Sequence, residues 1–389
     1  MGRNHRWWNE EIYASFNGGL SVGHKNTLPE ESTLLLWLSL IQGAAGALYW
    51  QYRPEYATFE APGLNLVSLD GRPTPRLAAV QTAIGQIDAL APHLPLGIAP
   101  AEMAMAYSAP SMDVFNFGDR GKWFISSAQG IYRSVWPQSI PQDIVTPAMD
   151  WSGYKVVCLP NFAVLDEAAV GRLRKVLQDP KGPRLIIEGH FGTFSGEGHW
   201  SFLPPEGLSD LIATRIDDFD SVTEHDIDAK QNVLRTTHGD YPILQPCQYA
   251  ILHPGPNDQP IAWIGEHIVG VQSADGRITW FGVPLQVTGP ASAQADANLM
   301  LSLLQSMGVA SPFALQGDRL VAFRRASKLG GSLVFLLNLE RRTAKTSVKP
   351  LWPFAEVTDL IHQKKTDVRD GSFAVTLGFG QVGVFHCSG

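Results

Sequence analysis

"YKVVCLPNFAVLDEAAVGRLRKVLQDPKGPRLIIEGHFG", residues 154–192, alternates two hydrophobic periods. "YKVVCLPNF" and "PRLIIEGHFG" each hold a short apolar run, as in a strand buried on both faces. Between them, "DEAAVGRLRKVLQDP" spaces its apolar residues as one face of a helix does, with Asp166 at the helix start. A buried strand, an amphipathic helix and a second buried strand predict a doubly wound parallel sheet, with helices on both faces.

Outward from this stretch, the unit begins near Pro100, where "EMAMAYS" (102–108) reads as its first strand. From about Thr214 to Gly289 the pattern changes to short strands with turn signals. The clearest is "SADGRI" (273–278), a hairpin turn. "ASAQADANLMLSLLQSMG" (291–308) reads as a closing helix. From about Phe313 the chain reads as all β, with short alternating runs such as "GGSLVFLLNL" and "QVGVFHC".

Toward the N-terminus, "RWWNEEIYA" (6–14) is a strand candidate and "SFNGGLSVGHKNTLP" (15–29) a loop. Pro29, Glu30 and Glu31 open a helix. Residues 32–52 carry no charge and approach the roughly 20 apolar residues of a membrane span. Gly43 and Gly46 divide this run into a buried helix and a strand, "GALYWQY". "LAAVQTAIGQIDAL" (77–90) is a further helix, so the first hundred residues follow a βαβα rhythm.

The 389 residues provide for two or three domains. Hydrophobic content of 44% against 17% charged residues excludes a disordered chain, and a net charge of −7 disfavours nucleic acid as a partner. Cys158, Cys247 and Cys387 are odd in number and far apart, and fit neither a disulfide framework nor a zinc site. They fit reduced thiols in a cytoplasmic protein. "MGRNHRWWNEE" lacks the apolar core of a signal peptide. Eleven tryptophans suit either a core or the stacking face of a sugar site.

"WWNEEIYAS" (7–15), with "GAAGALYWQYRPEYATFEAPGLNLVSLDGRPTPR" (43–76), resembles glycoside hydrolase family 42, the β-galactosidases. "YKVVCLPNFAVLDEAAVGRLRKVL" and "LVFLLNLERRTAKTSV" resemble two later domains of that family, in the same order. The resemblance implies three parts: the last two βα units of a TIM barrel, a (β/α)8 barrel, at 1–95; a flavodoxin-like, amidotransferase-like trimerisation domain at 100–310; and a small antiparallel β domain at 313–389. It implies a retaining β-galactosidase acting on terminal β-D-galactosides, a homotrimer, and no cofactor; the cysteine cluster that binds zinc in some relatives has no counterpart here, so no metal site is expected. Only two of the family's eight barrel strands have counterparts here. The family's acid/base, a glutamate after an asparagine, has none, so the chain matches a C-terminal portion with little expected activity alone. The alternative from another class is a non-catalytic oligomerisation or scaffold fragment.

By the family's spacing in "EIYAS", Glu11 matches the nucleophile, with Glu10 one register step away. Trp50, at the end of the second strand, corresponds to a platform for the sugar ring, although its position also suits a core residue. Glu60, seven residues after Arg53, corresponds to a substrate-binding carboxylate, and Arg53 to a group that holds a carboxylate in place. A histidine that often follows this glutamate in the family is replaced by Ala61, Pro62 and Gly63. His24 lies in the loop after the first strand. The middle domain resembles class I amidotransferases, but its elbow after "PRLIIEG" carries His190 and Phe191 and no cysteine. Cys158 falls inside a strand as a buried thiol. "GTFSGEG" (192–198) opens no apolar helix, so nucleotide binding is not indicated.

Overall fold

Strand and helix alternate from the start of the chain: β1 (Trp7–Tyr13), α1 (Pro29–Ile41), β2 (Ala44–Trp50) and α2 (Pro75–Asp88). The computed structural model describes residues 7–15, 27–57, 61, 63–98, 100–116, 123–201, 205, 207–228, 232–288 and 299–389. Pro29 occupies the first turn of α1, and the Glu31 carboxylate accepts the Leu28 N–H at 2.9 Å. Both acids of this turn sit at the positive end of the helix dipole. Gly43, at φ +90°, supplies the left-handed residue that ends α1 immediately before β2. The uncharged run at 32–52 is therefore a helix and a strand. Among the described residues, no helix is long and apolar enough to cross a membrane. β1 and β2 pair in parallel, and α1 covers one of their faces. There Asn9 Nδ2 donates to Ser39 Oγ at 2.9 Å, and the Tyr49 hydroxyl donates to the Ser32 carbonyl at 2.7 Å.

The chain divides into two compact units, Met1–Pro100 with Ser311–Gly389, and Ala101–Ala310. The second contains β3 (Met103–Ala106), α3 (Ala109–Asn116), α4 (Trp123–Val135), β4 (Gln142–Val145), β5 (Val156–Pro160), β6 (Val164–Leu165), α5 (Glu167–Gln178), β7 (Arg184–Glu188) and β8 (Phe194–Ser195). It continues with β9 (Arg215–Val222), α6 (Glu224–Asp228), β10 (Val233–Thr236), β11 (Gly239–Pro242), β12 (Cys247–His253), β13 (Gln259–Ile264), β14 (His267–Gln272), β15 (Ile278–Phe281) and α7 (Leu299–Ser306). Nine of these strands form one sheet, in the order β11-β10-β13-β14-β15-β7-β5-β3-β4. From β4 to β15 the strands are parallel, and beyond β15 they are antiparallel.

Alternation along the parallel strands divides the core. Met103, Met105, Val156, Cys158 and Ile186 pack with Ile131 and Val135 of α4 and with Leu303 and Leu304 of α7. Ala104, Ala106, Val157, Leu159, Leu185 and Ile187 pack with Ala169, Leu173 and Val176 of α5. Both faces are thus covered by helices, which is why the strands read as unbroken apolar runs. Asp166 caps α5 by accepting the Ala169 N–H at 2.8 Å. Five of the short strands after Thr214 extend this same sheet: β15 docks in parallel on β7, its hairpin partner β14 follows, and the added edge recruits β13, β10 and β11, whereas β9 and β12 pair with each other in a separate two-stranded sheet.

The remaining strands are β16 (Phe313–Gly317), β17 (Val321–Ala326), β18 (Ser332–Leu337), β19 (Ala344–Pro350), β20 (Glu356–Asp359), β21 (Lys364–Lys365), β22 (Phe373–Leu377) and β23 (Val382–Ser388). They form two antiparallel sheets, β16-β19-β22 and β17-β18-β23-β20-β21. Every residue of β18 is buried. Val334 and Leu336 face the core shared with Phe313, Val348 and Phe373, whereas Leu333, Phe335 and Leu337 pack against Trp37 and Ile41 of α1. Arg325 on β17 donates from Nε to the Ile41 carbonyl and from Nη2 to Gln42 Oε1 at 3.2 Å, and so caps the end of α1. Arg341 pairs with Glu31 at 3.0 Å, near the start of the same helix. The two ends of the sequence therefore share one compact unit.

Candidate active site

The pairing of β1 with β2 slips between Asn9 and Ile12. Asn9 lies opposite Ala47 and Ile12 opposite Tyr49, so β1 carries one residue more than β2 across this step. The extra residue is a bulge, and its effect on side-chain direction is specific. Asn9 and Ile12 both face α1, the first through Ser39, the second fully buried. Glu10 and Glu11 are left between them, and both are exposed on the opposite, open side. Without the bulge, strict alternation would put two adjacent acids on opposite faces.

Past the bulge, Tyr13 is 54% exposed and lies opposite Trp50, which is 41% exposed. Leu48 is also exposed. Alternation places Glu11 and Tyr13 on one face of β1, and Leu48 and Trp50 on the same face of β2. The structure therefore brings Glu11 and Trp50 onto one face, at the carboxyl-terminal ends of two parallel strands. At the other end of this sheet Trp8 lies across Gly46, where a Cβ would come within 2.7 Å of the indole.

The segments that follow the two strands are tied together. Ser15 Oγ donates to Asn65 Oδ1 at 3.1 Å and accepts the Asn65 N–H at 2.8 Å. Arg76 Nη2 donates to the Asn65 carbonyl at 3.1 Å. The Trp50–Gln51 peptide is cis, and the Gln51 carbonyl accepts the Leu66 N–H at 3.0 Å. Arg53 is exposed, and its Nη2 lies 3.0 Å from where a Cβ on Gly71 would stand, so it runs across the turn at 68–72. Among the described residues, no ion pair joins Arg53 to Glu10 or Glu11. Glu60 and His24 lie outside the described residues. Sequence reasoning missed Tyr13 and Asn65. Tyr13 had a signal in its two-residue spacing from Glu11, whereas Asn65 had none.

In the second unit, Glu188 at the end of β7 is buried, and its carboxylate accepts the Ser127 hydroxyl at 2.6 Å. Burial pushes its pKa up to about 7, opposed by the hydrogen bonds from Ser127 and the Leu285 N–H. Cys158 is buried on the neighbouring strand, and burial, together with Glu188, raises its thiol. His190 is buried against Phe219 at 4.7 Å and Trp123 at 5.6 Å. Among the described residues, no group of three or more His, Cys, Asp or Glu residues is arranged to hold a metal ion. A groove of about 720 Å³ in the first unit, lined in part by Trp37, Gln86, His362 and Lys364, shares no residue with the face that carries Glu11 and Trp50.

Residues 101–241 match the family model described as the beta-galactosidase trimerisation domain. Beta-galactosidase GanA of Bacillus subtilis is 26% identical over 171 residues, which are 41% of this chain and 25% of that protein. Beta-galactosidase GalA of Bacillus licheniformis is 24% identical over 139 residues, 35% of this chain and 21% of that protein. Among solved structures, Gan42B, a GH42 beta-galactosidase of G. stearothermophilus, superposes with a TM-score of 0.80 at 16% identity, over 97% of this chain and 53% of that one. The beta-galactosidase of Bacillus circulans sp. alkalophilus gives 0.75 at 16% identity, over 97% and 55%. The chain thus spans about half the length of these solved structures and a smaller share of the curated relatives, and it has the mixed α/β fold of the former. Residues 101–241 thus match the trimerisation domain of the beta-galactosidases, and nearly the whole chain has the fold of about half of a GH42 beta-galactosidase.

Proposed function

We propose that this chain contributes the nucleophile and part of the sugar-binding surface of a retaining β-galactosidase. The observation that carries this reading is the register of β1 on β2, which sets Glu11 on the face of Trp50. A retaining glycosidase needs two carboxyls about 5–5.5 Å apart, one to attack the anomeric carbon and one to protonate the leaving oxygen. Glu11 takes the first role. The second belongs to the part of the enzyme that this chain does not span in its relatives, so hydrolysis by this chain alone is slight or absent. Trp50 supports the ring, Glu60 binds hydroxyls, and Arg53 orients a carboxylate.

On this reading β1, α1, β2 and α2 are the last two βα units of a TIM barrel, at 1–95. The order of the parallel strands, 2-1-3-4-5 along the chain, supports a flavodoxin-like domain at 100–310. That domain would assemble a homotrimer, and a β domain spans 313–389. Three free cysteines suit a cytoplasmic enzyme.

The test uses a galactoside that needs no general acid. In 2,4-dinitrophenyl 2-deoxy-2-fluoro-β-galactoside, the departing phenolate leaves unprotonated and the fluorine slows release of the enzyme-bound sugar. Glu11 would form an ester bond to the anomeric carbon, and mass spectrometry would find the added sugar on the peptide holding Glu11. Labelling that persists in Glu11→Gln removes Glu11 from the role.

A second reading, a non-catalytic oligomerisation or scaffold fragment, is favoured by the exposed Trp8, Tyr13, Leu48 and Trp50 on a two-stranded sheet. It predicts no labelling at any residue, together with a trimer in sedimentation.

A further inference from the structure

Tyr13 has no part in the reading above. Its ring lies on the face of Glu11, two residues further along β1, and next to Trp50 on β2. Paired parallel strands run about 4.8 Å apart, and two residues along a strand cover roughly 6.6 Å. The two rings and the carboxylate therefore frame an area close to that of one pyranose ring. Leu48, two residues before Trp50 on the same face, is exposed as well.

We propose that Tyr13 is a specificity-determining residue, whose ring joins that of Trp50 to form a floor that selects galactose over glucose. The proposal rests on the carbohydrate reading of this face and adds the stereochemistry. In galactose the 4-hydroxyl is axial, so the hydrogens on C3, C4 and C5 form one unbroken apolar patch on the opposite face of the ring. In glucose the C4 hydrogen points to the other face and the patch is broken. A floor of two rings gains most from the unbroken patch, since aromatic faces favour continuous apolar contact. The Tyr13 hydroxyl sits at the rim of its ring and is not required for stacking.

The full chain is titrated with galactose and with glucose, and saturable binding is followed by tryptophan fluorescence and ligand-observed NMR. In the unaltered protein galactose binds more tightly than glucose. Tyr13→Ala weakens galactose binding about fivefold and leaves glucose nearly unchanged, whereas Tyr13→Phe retains the preference. Because Tyr13 is half exposed, denaturation midpoints of both variants are expected to stay close to that of the unaltered chain. If Tyr13→Ala disturbs folding, Tyr13→Leu replaces it with the same expected loss of preference. Retention of the galactose preference in the alanine or leucine variant, while Trp50→Ala abolishes binding, overturns the role of Tyr13 and leaves the carbohydrate reading standing. No saturable binding by the unaltered chain, or binding indifferent to Trp50→Ala, overturns both.

Discussion

Ser127 on α4 donates its hydroxyl to the carboxylate of Glu188, 2.6 Å away, in the interior of the nine-stranded sheet's unit. Burial is the leading cause of the rise in this carboxyl's pKa from 4.5 to about 7.

The folded state therefore holds the Glu188 proton more tightly than the unfolded chain does. Its contribution to stability is fully present below about pH 4.5, declines as pH rises toward 7, and is level above that. With one pKa unit worth about 1.4 kcal/mol, the loss amounts to about 3 kcal/mol. Denaturant unfolding of the unaltered chain and of Glu188→Gln, at pH 5 and pH 8, measures it. The variant should gain stability relative to the unaltered chain at pH 8, and equal pH dependence of the two would refute the assignment.

Gly189, next along the chain, has φ +63°, and a Cβ there would stand 2.0 Å from Asn161 Oδ1. That oxygen also accepts the His190 N–H at 3.1 Å. Gly189→Ala combines backbone strain with a clash against a buried amide, and is expected to cost about 2–4 kcal/mol. Thermal unfolding reads this directly; a change below about 1 kcal/mol would show that the elbow is plastic.

Arg325 caps α1 with two hydrogen bonds, and burial lowers its pKa to about 10. Arg325→Met keeps the apolar stem but leaves the Ile41 carbonyl and Gln42 without their donor, at a cost of about 1–3 kcal/mol. Arg325→Lys should rescue little, because an ammonium lacks the planar fork that reaches both acceptors. Since β2 begins three residues after Ile41, hydrogen exchange should quicken in β2 as well as at the end of α1. Exchange unchanged in β2 would limit the cap to the helix.

Glu11 is exposed and has no recorded hydrogen bond or ion pair among the described residues, so Glu11→Gln should alter stability by no more than about 0.5 kcal/mol. Any loss of sugar labelling in that variant is then chemical. A large fall in its unfolding midpoint would instead make Glu11 a structural residue.

Local pattern was enough for the elements themselves. The apolar runs at β5 and β7, the cap at Asp166, the opening of α1 at Pro29, and the helix and strand within 32–52 all follow from periodicity and end signals. Short-range sterics and hydrogen bonding decide such features. The resemblance of "YKVVCLPNFAVLDEAAVGRLRKVL" to a later domain of the β-galactosidases was also legible, and the family model matches there. Three things were decided only in three dimensions. Five of the strands after Thr214 joined the parallel sheet because β15 found the edge of β7, roughly ninety residues earlier in the chain. The chain's two ends formed one unit because β18 is apolar on both faces and needed α1 to cover the second. The exposure of Glu10 and Glu11 on one side depended on a bulge, which arises from the pairing of two strands and leaves no mark in the period of either one.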